Sequence, residues 1–215
     1  LPWAAFVDFD GTITDVDTFD VFVRHFAGDG PWEEIERRLD RREITLRDAL
    51  ALEASYVRVT LDEADAVLDG VVRVDPSFAG FVAACEARGI ALTVVSSGIE
   101  PLIRRALARH GLERLALIAN PVTPSPAGWR IDFRDASDNG NDKAALIRAA
   151  SAAGFDTLFV GDGRSDYDAA LSADRRFAKR GLFLERYLTE RGIPFESFSS
   201  FAEVTAALEW MVVRP

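Results

Sequence analysis

The 215-residue chain has a single cysteine, Cys85, so no internal disulfide is possible. Cys85 recurs with Phe78, Phe81 and Val82 at helical spacing, the pattern of a core thiol rather than a catalytic one. Long apolar runs are missing, and nothing approaches the ~18 residues a membrane-crossing helix needs. The start, Leu1-Pro2-Trp3, lacks the charged-then-apolar order of an export signal, so a cytoplasmic location is expected. Positive charge is scarce: 25 Lys and Arg stand against 35 Asp and Glu, a net charge of −10. A chain this acidic repels nucleic acid and anionic membrane unless a basic patch is set apart. Arg37-Arg38 and Arg41-Arg42 interleave with Glu34, Glu36, Asp40 and Glu43, which describes a solvated helix face, so neither nucleic acid nor membrane is expected as a partner. Lysine is scarcest of all. Only Lys143 and Lys179 occur beside 23 arginines, so each retained lysine is a candidate for a specific task. Internal repeats and low-complexity tracts are also absent.

What is present is ordinary for a globular protein, 48% hydrophobic and 28% charged, and long enough for one sizeable core with a smaller accessory domain. Ala4-Ala5-Phe6-Val7-Asp8-Phe9 is a short apolar run ending in polar and Gly residues, as a buried parallel strand does. Ala91–Val95, ending at Ser96-Ser97-Gly98, and Thr157–Val160, ending at Gly161-Asp162-Gly163, repeat the pattern. Helical patterns follow at about 99–110 and 165–173 and precede at 77–88 and 142–153. This alternation predicts an α/β fold, a doubly wound, mostly parallel sheet, with the three polar strand tips meeting in one crevice. Residues 15–75 break the alternation and read as consecutive helices near 17–27, 31–39, 46–58 and 61–70, with Thr45 as an N-cap. The expected organisation is a catalytic core of 1–14 and 76–215 with a small all-helical cap, 15–75, inserted after the first strand. Residues 117–133 read as a strand pair around Pro124–Gly128. Trp32, Trp129 and Trp210 read as core or cap packing.

The densest chemical signal is Asp8-Phe9-Asp10-Gly11-Thr12. Two carboxylates two apart at a strand end point the same way, and they repel unless a cation or a proton lies between them. Oxygen-rich sites of this kind suit Mg²⁺ together with a substrate phosphate; a solvated Asp-Gly turn is the alternative. Gly161-Asp162-Gly163-Arg164-Ser165-Asp166 adds two more carboxylates at another strand tip. Asp166 has helix N-terminal stabilisation as its alternative. Ser96-Ser97-Gly98 is able to hold a phosphate with a hydroxyl and backbone N–H groups, or simply to cap a helix. Lys143 sits in the first turn of a helix, where its charge opposes the macrodipole, which hints that the ammonium acts elsewhere. Together these pieces compose a phosphoryl-transfer site: a carboxylate to attack phosphorus, another for the proton, a metal and an ammonium to offset charge, and a hydroxyl to fix the phosphate.

Asp8-Phe9-Asp10-Gly11-Thr12, Ser96, Lys143 and Gly161–Asp166, in that order, resemble the four motifs of the haloacid dehalogenase superfamily. Phe177–Leu182 and Phe198–Phe201 extend the likeness to almost the whole chain, the helical insert resembling the phosphoserine phosphatase-like branch and the tail its methionine-salvage enol-phosphate phosphatases. The resemblance implies a Mg²⁺-dependent phosphatase that hydrolyses a small phosphorylated metabolite through an aspartyl-phosphate. It implies Asp8 as nucleophile and metal ligand, and Asp10 as acid–base residue and, through its carbonyl, metal ligand. Ser96, Ser97, Gly98 and Lys143 hold phosphate, and Asp162 and Asp166 complete the metal set. Asp17, Arg47, Glu53 and Tyr56 are candidates for substrate contact, with cap surface or core as the alternative. Where phosphoserine phosphatases place a carboxylate-binding arginine, Glu53 falls, which disfavours phosphoserine. Lys179 matches a family position without an assigned step. A phosphotransferase of the same fold remains open. So does a receiver-type phospho-acceptor domain, although such domains run to roughly half this length and lack the insert and the Asp10 partner.

Overall fold

The computed structural model describes residues 1–208; Trp210 lies outside the described residues. Trp3–Val7 forms strand β1, hydrogen-bonded in parallel to β2 (Ala91–Ile99) on one side and β6 (Asp156–Gly161) on the other. With β3 (Ala116–Asn120), β7 (Arg175–Lys179) and β8 (Glu196–Phe198), they form a six-stranded sheet ordered β3-β2-β1-β6-β7-β8, parallel throughout. Side chains alternate across it. Ala5, Val7, Leu158 and Val160 face a cluster with helices α5 (Phe78–Ala87), α6 (Glu100–Arg109) and α10 (Phe201–Leu208). Ala4, Phe6 and Phe159 face the other side, where α7 (Lys143–Ala152), α8 (Tyr167–Ser172) and α9 (Phe183–Glu190) pack. Both faces being covered, the strands are apolar along their length, and the sheet is doubly wound as predicted. Cys85 is buried in the first cluster, and burial pushes its thiol up to about 12, which leaves it inert.

Four consecutive helices follow β1: α1 (Thr18–Ala27), α2 (Asp29–Asp40), α3 (Leu46–Tyr56) and α4 (Leu61–Val71). Asp17 caps α1 by accepting from the Phe19 and Asp20 N–H groups, and Thr45 and Thr60 form reciprocal capping boxes with Asp48 and Glu63. Phe22, Val23, Leu50, Ala54 and Leu68 bury a third apolar cluster, joined by Trp129 and Ile131. The chain enters and leaves the helices through adjacent segments, with Asp75 N–H donating to Ile13 C=O at 2.8 Å and Asp15 N–H to Arg73 C=O at 3.0 Å.

Two local expectations are corrected. Only Val122–Thr123 (β4) and Arg130–Ile131 (β5) form the antiparallel pair; Ala116–Asn120, read as part of it, is instead the outer parallel strand β3. Its Leu117 and Ala119 are buried, so the apolar run fits the main sheet. Ser96-Ser97-Gly98 does not open a helix: β2 continues through Ile99 with a register shift after Val95. Helix α6 begins at Glu100, with Pro101 in its first turn, where proline is pre-organised.

Candidate active site

The carboxyl ends of β1, β2 and β6 meet beneath α1, α2 and α3, around a cavity of about 400 Å³. Asp8 directly follows β1 and is 4% exposed; its Oδ1 accepts from its neighbour Phe9 N–H at 2.8 Å and from Lys143 Nζ at 2.8 Å. Lys143 opens α7, yet its ammonium turns away from its own helix into the interior. It donates to Asp166 Oδ1 at 2.7 Å and Ser165 Oγ at 3.2 Å as well. Burial alone would pull its pKa down, but Asp166 and Asp8 outweigh that and hold it above the ordinary lysine value. Asp166 is fully buried, and its Oδ2 accepts from the Asp162 and Gly163 N–H groups at 2.9 and 3.0 Å, fixing the tip of β6.

Asp10 joins the helical insert to the sheet. Its Oδ1 accepts from the Thr18 N–H at 3.1 Å and from the Thr18 hydroxyl, and its Oδ2 accepts from Ser96 Oγ at 3.0 Å. The turn after it needs glycine twice over. Gly11 has φ +70°, and a Cβ there would lie 2.5 Å from Asp162 Oδ2. Thr12 Oγ1 donates to Asp162 Oδ1 at 2.5 Å, and Lys179 Nζ reaches the carbonyls of Gly11, Thr12 and Thr14 at 2.6, 3.1 and 3.0 Å. Lys179 thus positions the backbone that carries Asp10.

Asp8, Asp162 and Asp166 each place a carboxylate oxygen within 4.8 Å of the others. Burial, then the neighbouring Asp166, raises Asp8 well above the usual carboxylate range despite Lys143, and pushes Asp162 up to about 7. An all-oxygen set of crowded carboxylates, Asp8 and Asp166 buried and Asp162 half-buried, fits a hard divalent cation such as Mg²⁺.

Of the phosphate-cradle candidates, the Gly98 N–H donates to Ser96 Oγ at 2.8 Å, so it is turned inward. A Cβ at Gly98 would lie 2.6 Å from Asp10 Oδ2. Ser97 Oγ lines the cavity without a partner among the described residues. Asn120 and Asn141, which residue patterns did not single out, hold this tip: their side-chain N–H groups donate to the Ser97 and Ser96 carbonyls, each at 2.7 Å. Of the four cap candidates, Asp17 and Glu53 line the cavity. Arg47 and Tyr56 do not: the Arg47 guanidinium stacks 5.1 Å over the Phe133 ring, and Tyr56 is 45% exposed. Asp20, Glu36, Arg164 and Phe183 line it without having been anticipated.

Glu53 is 3% exposed, and burial, then Asp20 and Glu36, pushes its carboxyl up to about 8. Between the unfolded value near 4.5 and about 8 the folded chain holds the extra proton, so stability falls as pH rises through that window. Glu53→Gln is expected to remove up to about 4 kcal/mol of that decline. Asp20 and Glu36 carry their own raised values, so the wild-type-minus-variant difference in urea unfolding from pH 5 to 8.5 isolates Glu53. A difference that does not change with pH would refute the neutral buried state.

Residues 5–171 match the haloacid dehalogenase-like hydrolase family. "Pdp3-interacting factor 1" of Schizosaccharomyces pombe is 33% identical over 95% of this chain and 93% of its own length. "Polyol phosphate phosphatase PYP1" of Saccharomyces cerevisiae is 28% identical, covering 95% and 91%. A "2-hydroxy-3-keto-5-methylthiopentenyl-1-phosphate phosphatase" of Brevibacillus brevis is 28% identical, covering 95% and 94%. Among solved structures, a phospho-aspartyl intermediate analogue of phosphoserine phosphatase superposes with a TM-score of 0.74 over 96% of this chain and 98% of that one, at 16% identity, a likeness of fold.

Proposed function

Because the chain belongs to the haloacid dehalogenase-like hydrolase family and its relatives carry phosphatase names, we propose that it is a Mg²⁺-dependent phosphomonoesterase working through an aspartyl-phosphate on Asp8. The observation that carries this reading is the buried Asp8–Lys143 pair at 2.8 Å, on the floor of a cavity that also receives Asp10, Ser96 and Asp162. Asp8 attacks phosphorus, the P–O bond to the alcohol breaks, and Asp10 gives the leaving oxygen its proton. Asp10 then takes a proton from water, which attacks the acyl phosphate; inorganic phosphate leaves and Asp8 is restored. Ser96 and Lys143 orient the phosphate. Mg²⁺ held by Asp8, Asp162 and the Asp10 carbonyl, with Asp166 behind them, would offset charge on the phosphate oxygens. Thr18 on Asp10 couples the insert to the acid–base group, which supports a core of 1–14 and 76–215 under a cap of 15–75 that excludes bulk water when closed.

For the ester itself, the relatives' names offer the methionine-salvage enol phosphate and a polyol phosphate. Both leaving groups are hydroxylated and uncharged. The test is phosphate release from a panel of small phosphomonoesters that includes these two and phosphoserine, with Mg²⁺ and then with EDTA. Metal-dependent turnover is expected. Turnover that needs an added acceptor alcohol would point to a phosphotransferase, and a single stoichiometric phosphorylation to a receiver-like acceptor. Asp10→Asn is expected to lower kcat by about 10²–10⁴-fold, the usual worth of general acid–base help. A near-wild-type rate from that variant would remove Asp10 from the mechanism.

A further inference from the structure

The cavity wall above the phosphate floor is acidic. Asp17, Asp20, Glu36 and Glu53 line it. Among the described residues its cations already face carboxylates: Lys143, at the phosphate floor, pairs with Asp8 and Asp166, and Arg164, at the rim, with Asp40 at 2.5 Å. A leaving group carrying a carboxylate or a second phosphate would meet like charge there.

Glu53 stands apart from the other three. It is on the inward face of α3 beside Ala49 and Leu50 and is 97% buried, since only 3% is exposed. Its Oε1 is closed off from solvent with no hydrogen-bond partner among the described residues. An unpaired buried polar atom costs free energy, and a leucine at this position would extend the apolar face without that cost. Glu53 also lines the cavity, so a polar group of a bound molecule is placed to bond its carboxyl. With its carboxyl pushed up to about 8, Glu53 favours the protonated form at neutral pH, which has one O–H donor and acceptor capacity. That combination matches a hydroxyl, which also donates and accepts, better than an ammonium, which needs an anion. Phe19, Leu46 and Leu50 on the same wall suit the carbon chain between hydroxyls.

We propose that Glu53 is a specificity-determining residue that hydrogen-bonds a hydroxyl of the leaving group, and that the preferred substrates are phosphomonoesters of uncharged, polyhydroxylated alcohols. This rests on the phosphatase reading above. The experiment compares kcat/KM, with Mg²⁺, for xylitol 5-phosphate, its deoxygenated counterpart pentyl phosphate, the anionic 6-phosphogluconate and the cationic 5-aminopentyl phosphate. The wild type is expected to favour xylitol 5-phosphate over pentyl phosphate by about 10²-fold, because a site built to bond hydroxyls is left unpaired by the analogue. It is expected to rank 6-phosphogluconate lower, because the wall carboxylates repel its charge. In Glu53→Leu the xylitol-to-pentyl ratio collapses to within about threefold, and in Glu53→Gln, which keeps a donor and an acceptor, most of the ratio survives. A wild type without the xylitol preference, or one that prefers the amine, overturns the inference, and so does an unchanged ratio in Glu53→Leu. Hydrolysis of p-nitrophenyl phosphate by the wild type separates the two levels. If it occurs without a xylitol preference, only the present inference fails; if no ester is hydrolysed, both fail.

Discussion

Asp8→Asn is expected to lower turnover by at least about 10⁴-fold, to the assay background, while the protein remains folded and is at least as stable as wild type in EDTA. The loss of turnover follows from the removal of the proposed nucleophile, since groups of a catalytic unit are not replaceable by their neighbours. The retained stability follows from the electrostatics. Burial first, then the neighbouring Asp166 and Asp162, raise the pKa of Asp8 despite Lys143, so its ionised form is unfavourable in the folded chain. An amide of the same shape removes one of three crowded anions and still leaves Lys143 its 2.7 Å bond to Asp166. Thermal unfolding in EDTA and in millimolar Mg²⁺ checks both halves. The Mg²⁺-dependent rise in the midpoint should shrink in the variant, because a ligand stabilises by its preferential binding to the folded state and the variant has lost a donor. A variant that turns over near the wild-type rate would eliminate Asp8 as the nucleophile, and one that unfolds in EDTA would mean the Asp8–Lys143 bond outweighs the crowding.

The parallel core was legible because its strands are covered on both faces and therefore read as unbroken apolar runs, each closed by a polar tip. The four inserted helices were legible for a different reason: their apolar residues recur at helical spacing, and Thr45 announces the start of α3, while the matching cap of α4, Thr60, went unread. The outer strands were not. β7 begins with Arg175-Arg176, whose side chains reach Glu196 and the Ala173 carbonyl rather than the core, and β8 is three residues long at the sheet edge. Nothing local marks such segments as strands; they pair because the sheet beside them already exists.

At the site, the residue types with their order identified Asp8, Asp10, Ser96, Lys143, Asp162 and Asp166, and the fold brings all six to one cavity or its floor. The cap was half legible. Leu46, Leu50 and Glu53 share a helix face, and the roughly 3.6-residue period that aims them inward turns Arg47 and Tyr56 off that face. The contacts of Lys179 with carbonyls 165 to 168 residues away have no local signature at all. Asn120, at the end of β3, and Asn141, just before α7, likewise carry no mark of a role until the strand tips they hold are in place.

Lys143→Met should be the most destabilising single change at the site, by about 3–5 kcal/mol in urea unfolding at neutral pH, together with loss of turnover. Methionine fills much the same volume, so the cost is electrostatic rather than a cavity. Lys143 is 2% exposed and is the cation that Asp8 and Asp166 share, at 2.8 and 2.7 Å. Its removal leaves two desolvated carboxylates facing each other, with Asp162 nearby, and an uncompensated buried charge costs far more than the intact pair contributes. A double-mutant cycle distinguishes this cause from a packing defect. If the loss comes from unpaired anions, adding Asp8→Asn to Lys143→Met removes one of them and restores about 1–3 kcal/mol, a coupling within the range found for residues in contact. If the two substitutions simply add, the ammonium is not what keeps these carboxylates buried, and the pairing that carries the phosphatase reading would lose its energetic basis.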